Sequence, residues 1–350
     1  MKKIALISLF VLLLALVLPL ILVPGFYFYR PEEDLEPEEP SLEEEIQEIE
    51  EVPNPPSILP MAGQDANLIL TVATESGVVY MSMEEYLIGV VAAEMPARFH
   101  REALRAQAVA ARTYSLHRML LEPASRHPNA YVCTSYACCK AYHDMESLQE
   151  RWGDDFDYYI AIIQGAVNDT DGIVVLFEDM PILAAFHSSS YGFTEASGSI
   201  WNPVPYLQSV ESFESAEDVP RFYDVVELSF PEFRTIAQNN ISGTNLRDDN
   251  TPYWISDITY TPSGRLAHLQ IGGVEVTGAQ FRRIFSLRSA RVMLSFSQEG
   301  ITITTGGWGH GVGMSQFGAN TMANAGANFT EILLWYYTDV TLGHMDKLFS

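Results

Sequence analysis

An uninterrupted apolar run near the start confines the water-soluble fold of this chain to the residues after it. Residues 4–23 carry no charge, and twenty such residues can cross a bilayer core as one helix. Lys2 and Lys3 precede the run, so the positive-inside rule predicts that residues 1–3 are cytoplasmic and the remainder is extracytoplasmic. A cleaved signal peptide is the alternative. It is disfavoured because residues 24–29 lack a small-x-small cleavage site.

The next segment, residues 24–61, is predicted to be an acidic, proline-rich linker. Residues 32–51 contain twelve acidic side chains and no basic one, a composition that self-repels and stays extended. Residues 62–350 remain as the folded domain, and they hold −16 of the formal net charge of −25. So acidic a domain is a poor candidate for binding nucleic acid or anionic lipid, and it suits an uncharged glycan better than a phosphate-rich partner.

Hydrophobic periodicity along residues 62–350 predicts mixed helices and antiparallel hairpins without βαβ alternation, which indicates an α+β fold. Ser82 is predicted to cap a helix that ends near Glu94. The expected hairpins cover residues 67–81, 256–271 and 290–304, and single strands cover 172–177 and 181–186. The expected helices cover residues 82–94, 101–120, 157–167, 230–239, 277–286, 314–325 and 329–338.

Glu94 is the first candidate for catalysis. It follows the apolar run Val90–Ala93 and precedes Met95-Pro96, so its helix should end there because proline disfavours helical geometry in the preceding residue. Carbonyl groups at a helix C-terminus repel a carboxylate, and apolar neighbours also favour its protonated form, which a general acid requires. The alternative is an exposed glutamate that happens to lie at a helix end.

A glycine-rich segment, residues 306–318, is the second candidate. Six of its thirteen residues are glycine, which disfavours regular structure and suits close approach of a ligand to the backbone. His310, Ser315 and Gln316 lie within it, and no Lys-Ser/Thr follows the glycines, so it is not a P-loop. The alternative is a structural turn with His310 packed in the core.

Two further polar clusters have open interpretations. Residues 186–195, FHSSSYGFTE, are either a serine-rich turn or a source of hydrogen bonds to sugar hydroxyls, and no Gly-x-Ser-x-Gly elbow supports a serine hydrolase. All three cysteines lie at 133–139, flanked by His127 and His143. These side chains suit a tetrahedral zinc site, whereas a disulfide from Cys133 to Cys138 or Cys139 is the alternative outside the cell.

Three motifs together resemble the stage II sporulation protein D family of membrane-anchored lytic transglycosylases. They are residues 84–114, residues 186–195 and residues 307–337, in the expected order. The resemblance implies that Glu94 is the catalytic acid. It also implies that the glycan groove is lined by His187, Ser188, Ser189, Ser190, Thr194, His310, Ser315 and Gln316.

The resemblance also bears on the cysteine cluster. His127, Cys133 and Cys139 are spaced six and six, matching a zinc site of clostridial members. Cys138 stands where such members can have histidine, so the expected zinc ligands are His127, Cys133, Cys138 and Cys139, with His143 as the spare. Four protein ligands leave no open position, so the zinc would be structural.

The implied reaction cleaves the bond between N-acetylmuramic acid and N-acetylglucosamine in peptidoglycan and forms 1,6-anhydro ends during engulfment of the forespore. One carboxylate can serve as acid and then as base, whereas ordinary glycosidases need two; Glu195 is the nearest second candidate. The implied partners are glycan strands, the amidase stage II sporulation protein P and stage II sporulation protein M. A zinc-dependent cell-wall hydrolase and a non-catalytic wall-binding scaffold are the competing functions.

Overall fold

Helices alternate irregularly with short, mostly antiparallel strands, so the α+β prediction is confirmed. A computed structural model describes residues 63–121, 127, 129–247, 251 and 253–349. The first part contains α1 (Gln64–Asn67), β1 (Ile69–Thr74), β2 (Gly77–Ser82), α2 (Met83–Glu94), α3 (Arg101–Leu121), β3 (Val132–Cys133), α4 (Met145–Trp152), α5 (Phe156–Asn168), β4 (Ile173–Phe177), β5 (Met180–Pro181) and β6 (Phe186–His187). The second contains β7 (Tyr223–Ser229), α6 (Phe230–Asn240), β8 (Ile255–Tyr260), β9 (Leu266–Ile271), β10 (Val274–Thr277), α7 (Gly278–Ile284), β11 (Val292–Phe296), β12 (Gly300–Gly306), β13 (Met314–Ser315), α8 (Gln316–Asn324), α9 (Phe329–Tyr336) and β14 (Thr341–His344).

Five small sheets connect these elements. Their strand orders are β2-β1-β3, β10-β9-β8, β11-β12-β7, β13-β6 and β14-β4-β5. The pairs β1–β3 and β13–β6 are parallel, and the other pairs are antiparallel. The β13–β6 pair joins Ser315 to His187, and thereby brings two of the predicted site motifs together.

The buried apolar side chains form two cores. The larger one draws on residues 70–207 and on residues 312–345, and the smaller one is formed within residues 233–303. Helix α3 is central to the larger core and contacts α2, α5, α8 and α9. Its run of small residues, including Ala106, Ala108 and Ala110, is fully buried, which permits these close helix contacts.

A buried ion pair ties α1 to α3 inside the larger core. Arg112 is fully buried and donates from Nε and Nη2 to Asp65, at 2.5–2.9 Å. The same guanidinium group donates to the carbonyl oxygens of Ile173 and Val167. Because every side of this charge has an acceptor, the pair is compatible with burial.

The glycine-rich segment runs between the two cores. It leaves β12 in the smaller core and enters β13 in the larger core. On the way, Trp308 and Ser189 exchange backbone hydrogen bonds. The Glu195 amide donates to the Gly311 carbonyl at 2.7 Å, and the Gly309 amide donates to the Arg288 carbonyl at 2.9 Å. The segment is therefore both a connection and one wall of the region where the cores meet.

Most predicted helices and hairpins are present, with boundaries within two residues of those expected. The strand predicted over residues 181–186 is wrong: only its two ends are strands. Between them Ala184 and Ala185 bond back to the carbonyl groups two residues earlier. The apolar run reflects burial of an irregular segment in the larger core. Helix α4 and strands β7, β10 and β14 had no sequence prediction.

The predicted membrane span, residues 4–23, and the linker, residues 24–61, lie outside the described residues. Of the helices that the structure does describe, none has the length and apolar character needed to cross a bilayer.

Candidate active site

Glu94 lies at the C-terminal end of α2, as the sequence predicts. The Ser82 side chain accepts from the Glu85 amide at the start of this helix, and Met95 is already extended, with φ −126° and ψ 141°. The apolar residues before Glu94 point into the larger core, whereas Glu94 itself is half-buried. The local sequence therefore places one carboxylate at the edge of an apolar wall.

Two N–H donors hold the Glu94 carboxylate. The Ala141 amide donates to Oε1 at 3.0 Å, and Nε2 of Gln316 donates to Oε2 at 3.2 Å. Glu94 thus joins three segments that are far apart in sequence. Gln316, predicted from the glycine-rich motif, is a direct partner of the predicted catalytic carboxylate.

Lys140 is a charged neighbour that the sequence prediction missed. Its ammonium group lies 3.3 Å from the Phe186 ring centroid and 4.3 Å from that of Tyr114. Burial lowers the pKa of Lys140 to about 8, against the opposing effect of the negative charge on Glu94. The sequence feature that could have drawn attention to Lys140 is that it is the only lysine between residues 4 and 346.

The four predicted zinc ligands converge in space. One ligand atom from each of His127, Cys133, Cys138 and Cys139 lies within 4.8 Å of every other. Nε2 of His127 is 3.2 Å from Sγ of Cys138 and 3.5 Å from Sγ of Cys139. Burial raises the pKa of the Cys133 thiol to about 12, so its thiolate needs a compensating cation. Donor type, number and spacing fit a tetrahedral zinc ion.

The other interpretations of the cysteine cluster find less support. All three cysteines are free thiols, in contrast to the disulfide alternative. His143, the spare ligand, lies outside the cluster, and its Nε2 accepts from Nη1 of Arg151 at 3.1 Å. The chain runs directly from Cys139 through Lys140 to Ala141, so the cluster holds the segment that contacts Glu94.

A cavity of about 690 Å³ adjoins this cluster. Lys140 and His310 both line it, and the exposed ring of Trp201 lies at its edge. Other lining residues are Tyr114, His117, Arg118, Tyr136, Ala137, Cys138, Cys139, Leu183, Ala185, Ser197, Asn202, Val204, Tyr206 and Leu207. Glu94 lines a second, more open cavity of about 380 Å³ together with Arg151, Trp152 and Tyr159. Aromatic walls of this kind suit the apolar faces of sugar rings.

His310 is half-buried between the aromatic ring of Trp201 and His187, with centroid distances of 4.9 and 5.7 Å. Its Nδ1 accepts from the Val312 amide at 3.1 Å, so the neutral ring carries its proton on Nε2. Burial, followed by the positive charges of Lys140 and two arginines, lowers the pKa of His310 to about 3. The imidazole is therefore a neutral hydrogen-bonding group at pH 7.

The predicted serine contacts are placed differently from His310. Ser189, Ser190, Thr194 and Ser315 are each at most 1% exposed, so their hydroxyl groups do not face the cavities. The Ser190 amide and the Ser315 hydroxyl both donate to the buried carboxylate of Glu214. A buried carboxylate needs such donors. Glu214 therefore links the Ser190 backbone to Ser315 of the glycine-rich segment inside the protein.

His187 is also internal, at 4% exposed. Its Nδ1 lies 3.3 Å from the Val312 carbonyl and its Nε2 lies 2.7 Å from Oγ of Ser190. A proton on Nδ1 satisfies both contacts, and burial holds the pKa of His187 well below its usual range. Ser188 is only partly buried. Ser188 and His310 are the predicted groove residues that retain exposure.

Comparison with known proteins places these residues in a family. A sequence profile described as stage II sporulation protein matches residues 73–177, which include Glu94 and the four clustered His and Cys side chains. Stage II sporulation protein D of Bacillus amyloliquefaciens is 37% identical over 270 residues, 77% of this chain and 76% of that protein. The chain belongs to the stage II sporulation protein D family.

Two further relatives define the breadth of the similarity. Stage II sporulation protein D of Bacillus subtilis strain 168 is 33% identical over 77% of this chain and 76% of that protein. The amidase enhancer of the same strain is 27% identical over 73% of this chain, but over only 40% of its own length. The family profile, which matches residues 73–177, includes Glu94 and its hydrogen-bond donor Ala141. The other donor, Gln316, lies outside the matched residues.

Proposed function

We propose that this sporulation protein is a membrane-anchored lytic transglycosylase that cleaves peptidoglycan between N-acetylmuramic acid and N-acetylglucosamine. The observation that carries the proposal is the setting of Glu94. It is one half-buried carboxylate, held by the Ala141 amide and the Gln316 side chain at the edge of an open cavity. The previously considered second carboxylate, Glu195, lines a different cavity, so a two-carboxylate glycosidase is disfavoured.

In the proposed reaction Glu94 acts first as an acid and then as a base. Protonated Glu94 donates its proton to the glycosidic oxygen as the bond from that oxygen to C1 of the muramic residue breaks. The C6 hydroxyl of the same residue attacks C1, and its proton returns to Glu94. The products are a 1,6-anhydromuramic end and a new N-acetylglucosamine end, with Glu94 regenerated and no water consumed.

Two neighbours of Glu94 suit this cycle. The Gln316 amide can offer either an N–H donor or a carbonyl acceptor, so it can accompany both protonation states of the carboxylate. The buried Lys140 side chain interacts electrostatically with Glu94, and it is proposed to stabilise the charge that develops during the reaction. His310, neutral and half-buried in the adjoining cavity, is a hydrogen-bonding group for the glycan.

The zinc ion is proposed to be structural, held by His127, Cys133, Cys138 and Cys139. When bound, it supplies positive charge to buried thiolates and closes the loop on which they lie. The residues that follow the ligands, Lys140 and Ala141, are the ones that meet Glu94. The ion is thus expected to act on catalysis through the position of this loop.

Anchoring and partners are further parts of the proposal. Residues 4–23 would hold the domain at the outer face of the cell membrane, with the N-terminus in the cytoplasm. Similarity to an amidase enhancer supports action beside an amidase, for which stage II sporulation protein P is the family's candidate, with stage II sporulation protein M as the membrane partner. The acidic charge of the chain disfavours nucleic acid.

The test is mass spectrometry of purified glycan strands incubated with the chain and with Glu94→Gln. The wild type should release 1,6-anhydromuramic ends, and the variant should lose about 10²- to 10⁴-fold in rate, the usual contribution of a general acid–base group. Reducing ends would instead identify a hydrolase. Strand binding without cleavage by either protein would identify a non-catalytic scaffold.

A further inference from the structure

Glu214 is a buried carboxylate that takes no part in the proposed reaction. It lies in an irregular segment between β6 and β7 and is 4% exposed. The Ser190 amide donates to its Oε1 at 2.5 Å, the Ser212 hydroxyl donates to its Oε2 at 2.6 Å, and the Ser315 hydroxyl donates to Oε1. No cationic side chain among the described residues forms an ion pair with it. Hydrogen bonds alone therefore offset the cost of burying this carboxylate.

Ser315 connects this carboxylate to α8. Its Oγ donates to Glu214 and accepts from the Gly318 amide at 3.2 Å, so Ser315 is the N-cap of the helix. The Ser188 carbonyl is a more distant acceptor for the same hydroxyl group, at 3.4 Å. Because a hydroxyl group has one proton, donation to Glu214 leaves the lone pairs of Oγ for the helix. Glu214 thus fixes the point at which α8 begins.

The first turn of α8 lies directly against the same carboxylate. A Cβ atom at Gly318 would collide with Oε2 of Glu214. It would also collide with the hydroxyl groups of Ser212 and Tyr336, which lie 2.8 Å apart. The absence of a side chain at Gly318 permits this close approach, so a displacement of the carboxylate is expected to displace the start of the helix.

Gln316, the first residue of α8, carries this placement to the proposed catalytic residue. Its Nε2 donates to Oε2 of Glu94 at 3.2 Å. Glu94 itself is placed by other elements, namely the end of α2 and the Ala141 amide. At 3.2 Å the contact is at the long end of the range for N–H···O hydrogen bonds. A small shift of α8 relative to α2 would therefore remove it.

We propose that Glu214 is a positioning residue that fixes the start of α8 and thereby holds the Gln316 amide against the Glu94 carboxylate. The inference rests on the proposed function for the reaction that Glu94 carries out. Glu214 lines neither the cavity beside Glu94 nor the larger cavity next to it, so it acts without touching the glycan. Loss of Glu214 should slow the chemical step and leave glycan binding unchanged.

Steady-state kinetics of strand cleavage by the 350-residue chain test this role. Glu214→Met fills similar space without an oxygen acceptor, and it should lower kcat about tenfold, the effect of losing a hydrogen bond to a charged group. KM should stay within about twofold of the wild-type value, because the lost contact acts on the chemical step. An unchanged kcat, or a rise in KM that accounts for the whole effect, would overturn the inference.

Glu214→Gln is the conservative variant that should restore activity. One amide oxygen at the place of Oε1 can still accept from both the Ser190 amide and the Ser315 hydroxyl, so most of the wild-type kcat should return. A loss equal to that of Glu214→Met would assign the effect to the negative charge, in contradiction to positioning through Ser315.

Two serine variants provide the same test if Glu214→Met does not fold. Ser315→Ala and Ser212→Ala each remove one hydroxyl donor from the same carboxylate, but only Ser315 caps α8. Ser315→Ala should lower kcat, whereas the matched control Ser212→Ala should retain it. Equal losses of kcat in the two variants would refute the path through α8.

A double-mutant cycle shows whether Glu214 acts through Gln316. Gln316→Ala alone should lower kcat, and adding Glu214→Met should cause no further loss, because the contact that Glu214 supports is already absent. Losses that multiply would mean that the two residues act independently, and the proposed link would be wrong.

A crystal structure of the Glu214→Met chain reads the contact without any reaction. The distance from Nε2 of Gln316 to Oε2 of Glu94 should exceed about 3.5 Å, beyond hydrogen-bond range, and an unchanged 3.2 Å contact would overturn the inference. Product analysis of the wild type tests the proposed reaction separately. Anhydro ends with Gln316 in place in the variant would refute the positioning role alone, and a displaced Gln316 without anhydro ends from the wild type would refute the reaction alone.

Discussion

Arg112 and Arg265 are both almost fully buried, yet their guanidinium groups have opposite surroundings. Arg112 lies in the larger core and donates to Asp65 and to two backbone carbonyl groups. Arg265 lies where the cores meet and has no hydrogen-bond acceptor among the described residues. Burial alone therefore does not define a residue's surroundings, since one guanidinium group is satisfied by the fold and the other has no acceptor among the described residues.

The largest expected effect comes from breaking the satisfied pair. Asp65→Ala leaves the Arg112 charge buried without its carboxylate, so the free energy of unfolding should fall by about 3–5 kcal/mol. Urea denaturation followed by circular dichroism measures this change. A loss below about 1 kcal/mol would mean that the two carbonyl acceptors suffice and that the contrast with Arg265 is weak.

A second test concerns the cysteine thiols near Glu94, where burial raises the pKa of Cys133 and its thiolate needs a compensating cation. Cys133→Ser should abolish zinc binding, lower the melting temperature by several degrees, and reduce activity by freeing Lys140 and Ala141. Metal analysis measures the zinc content, calorimetry measures the melting temperature, and release of 1,6-anhydromuramic ends measures the activity. His143→Gln is the control and should retain its zinc, because His143 lies outside the cluster. Full activity after zinc loss would contradict the proposed link.

A third test uses the pH dependence of stability to examine the burial of His310, which lies where the two cores meet. Burial and nearby cations lower the pKa of His310 from 6.5 to about 3, so the unfolded chain binds its proton first. The stability from neutral His310 is present above pH 6.5 and is lost as the pH falls towards 3. In His310→Gln, urea denaturation between pH 7 and pH 4 should show a shallower loss than in the wild type. Parallel profiles would contradict this assignment.

The smallest expected effect on stability is that of Arg265→Met. Removing an unpaired buried charge removes its desolvation cost, so the free energy of unfolding should change by at most about 1 kcal/mol. The measurement is the same urea denaturation used for Asp65→Ala. A loss as large as that of Asp65→Ala would show that Arg265 stabilises the fold as Arg112 does, and would cancel the contrast between the two arginines.

Local chemistry was sufficient to predict much of this fold. Caps, turns and apolar spacing act over a few residues, so the helix from Ser82 to Glu94 and the hairpin around residues 262–264 were predictable. The apolar run at 181–186 was wrongly predicted to be one strand, because a buried irregular segment and a buried strand have the same apolar sequence pattern. The family resemblance implied a set of four His and Cys ligands, and the ligand atoms of these side chains lie within 4.8 Å of one another.

The sequence by itself determined which residues could do chemistry: Glu94, the cysteine cluster and the glycine-rich segment. Only the tertiary structure decided their surroundings. It brought Gln316 and Lys140 to Glu94, turned Ser190 and Ser315 inwards to Glu214, and left Arg265 without an acceptor among the described residues. The physical reason is that hydrogen bonds, burial and charge act between atoms close in space, and those neighbours come from segments that are far apart in the chain.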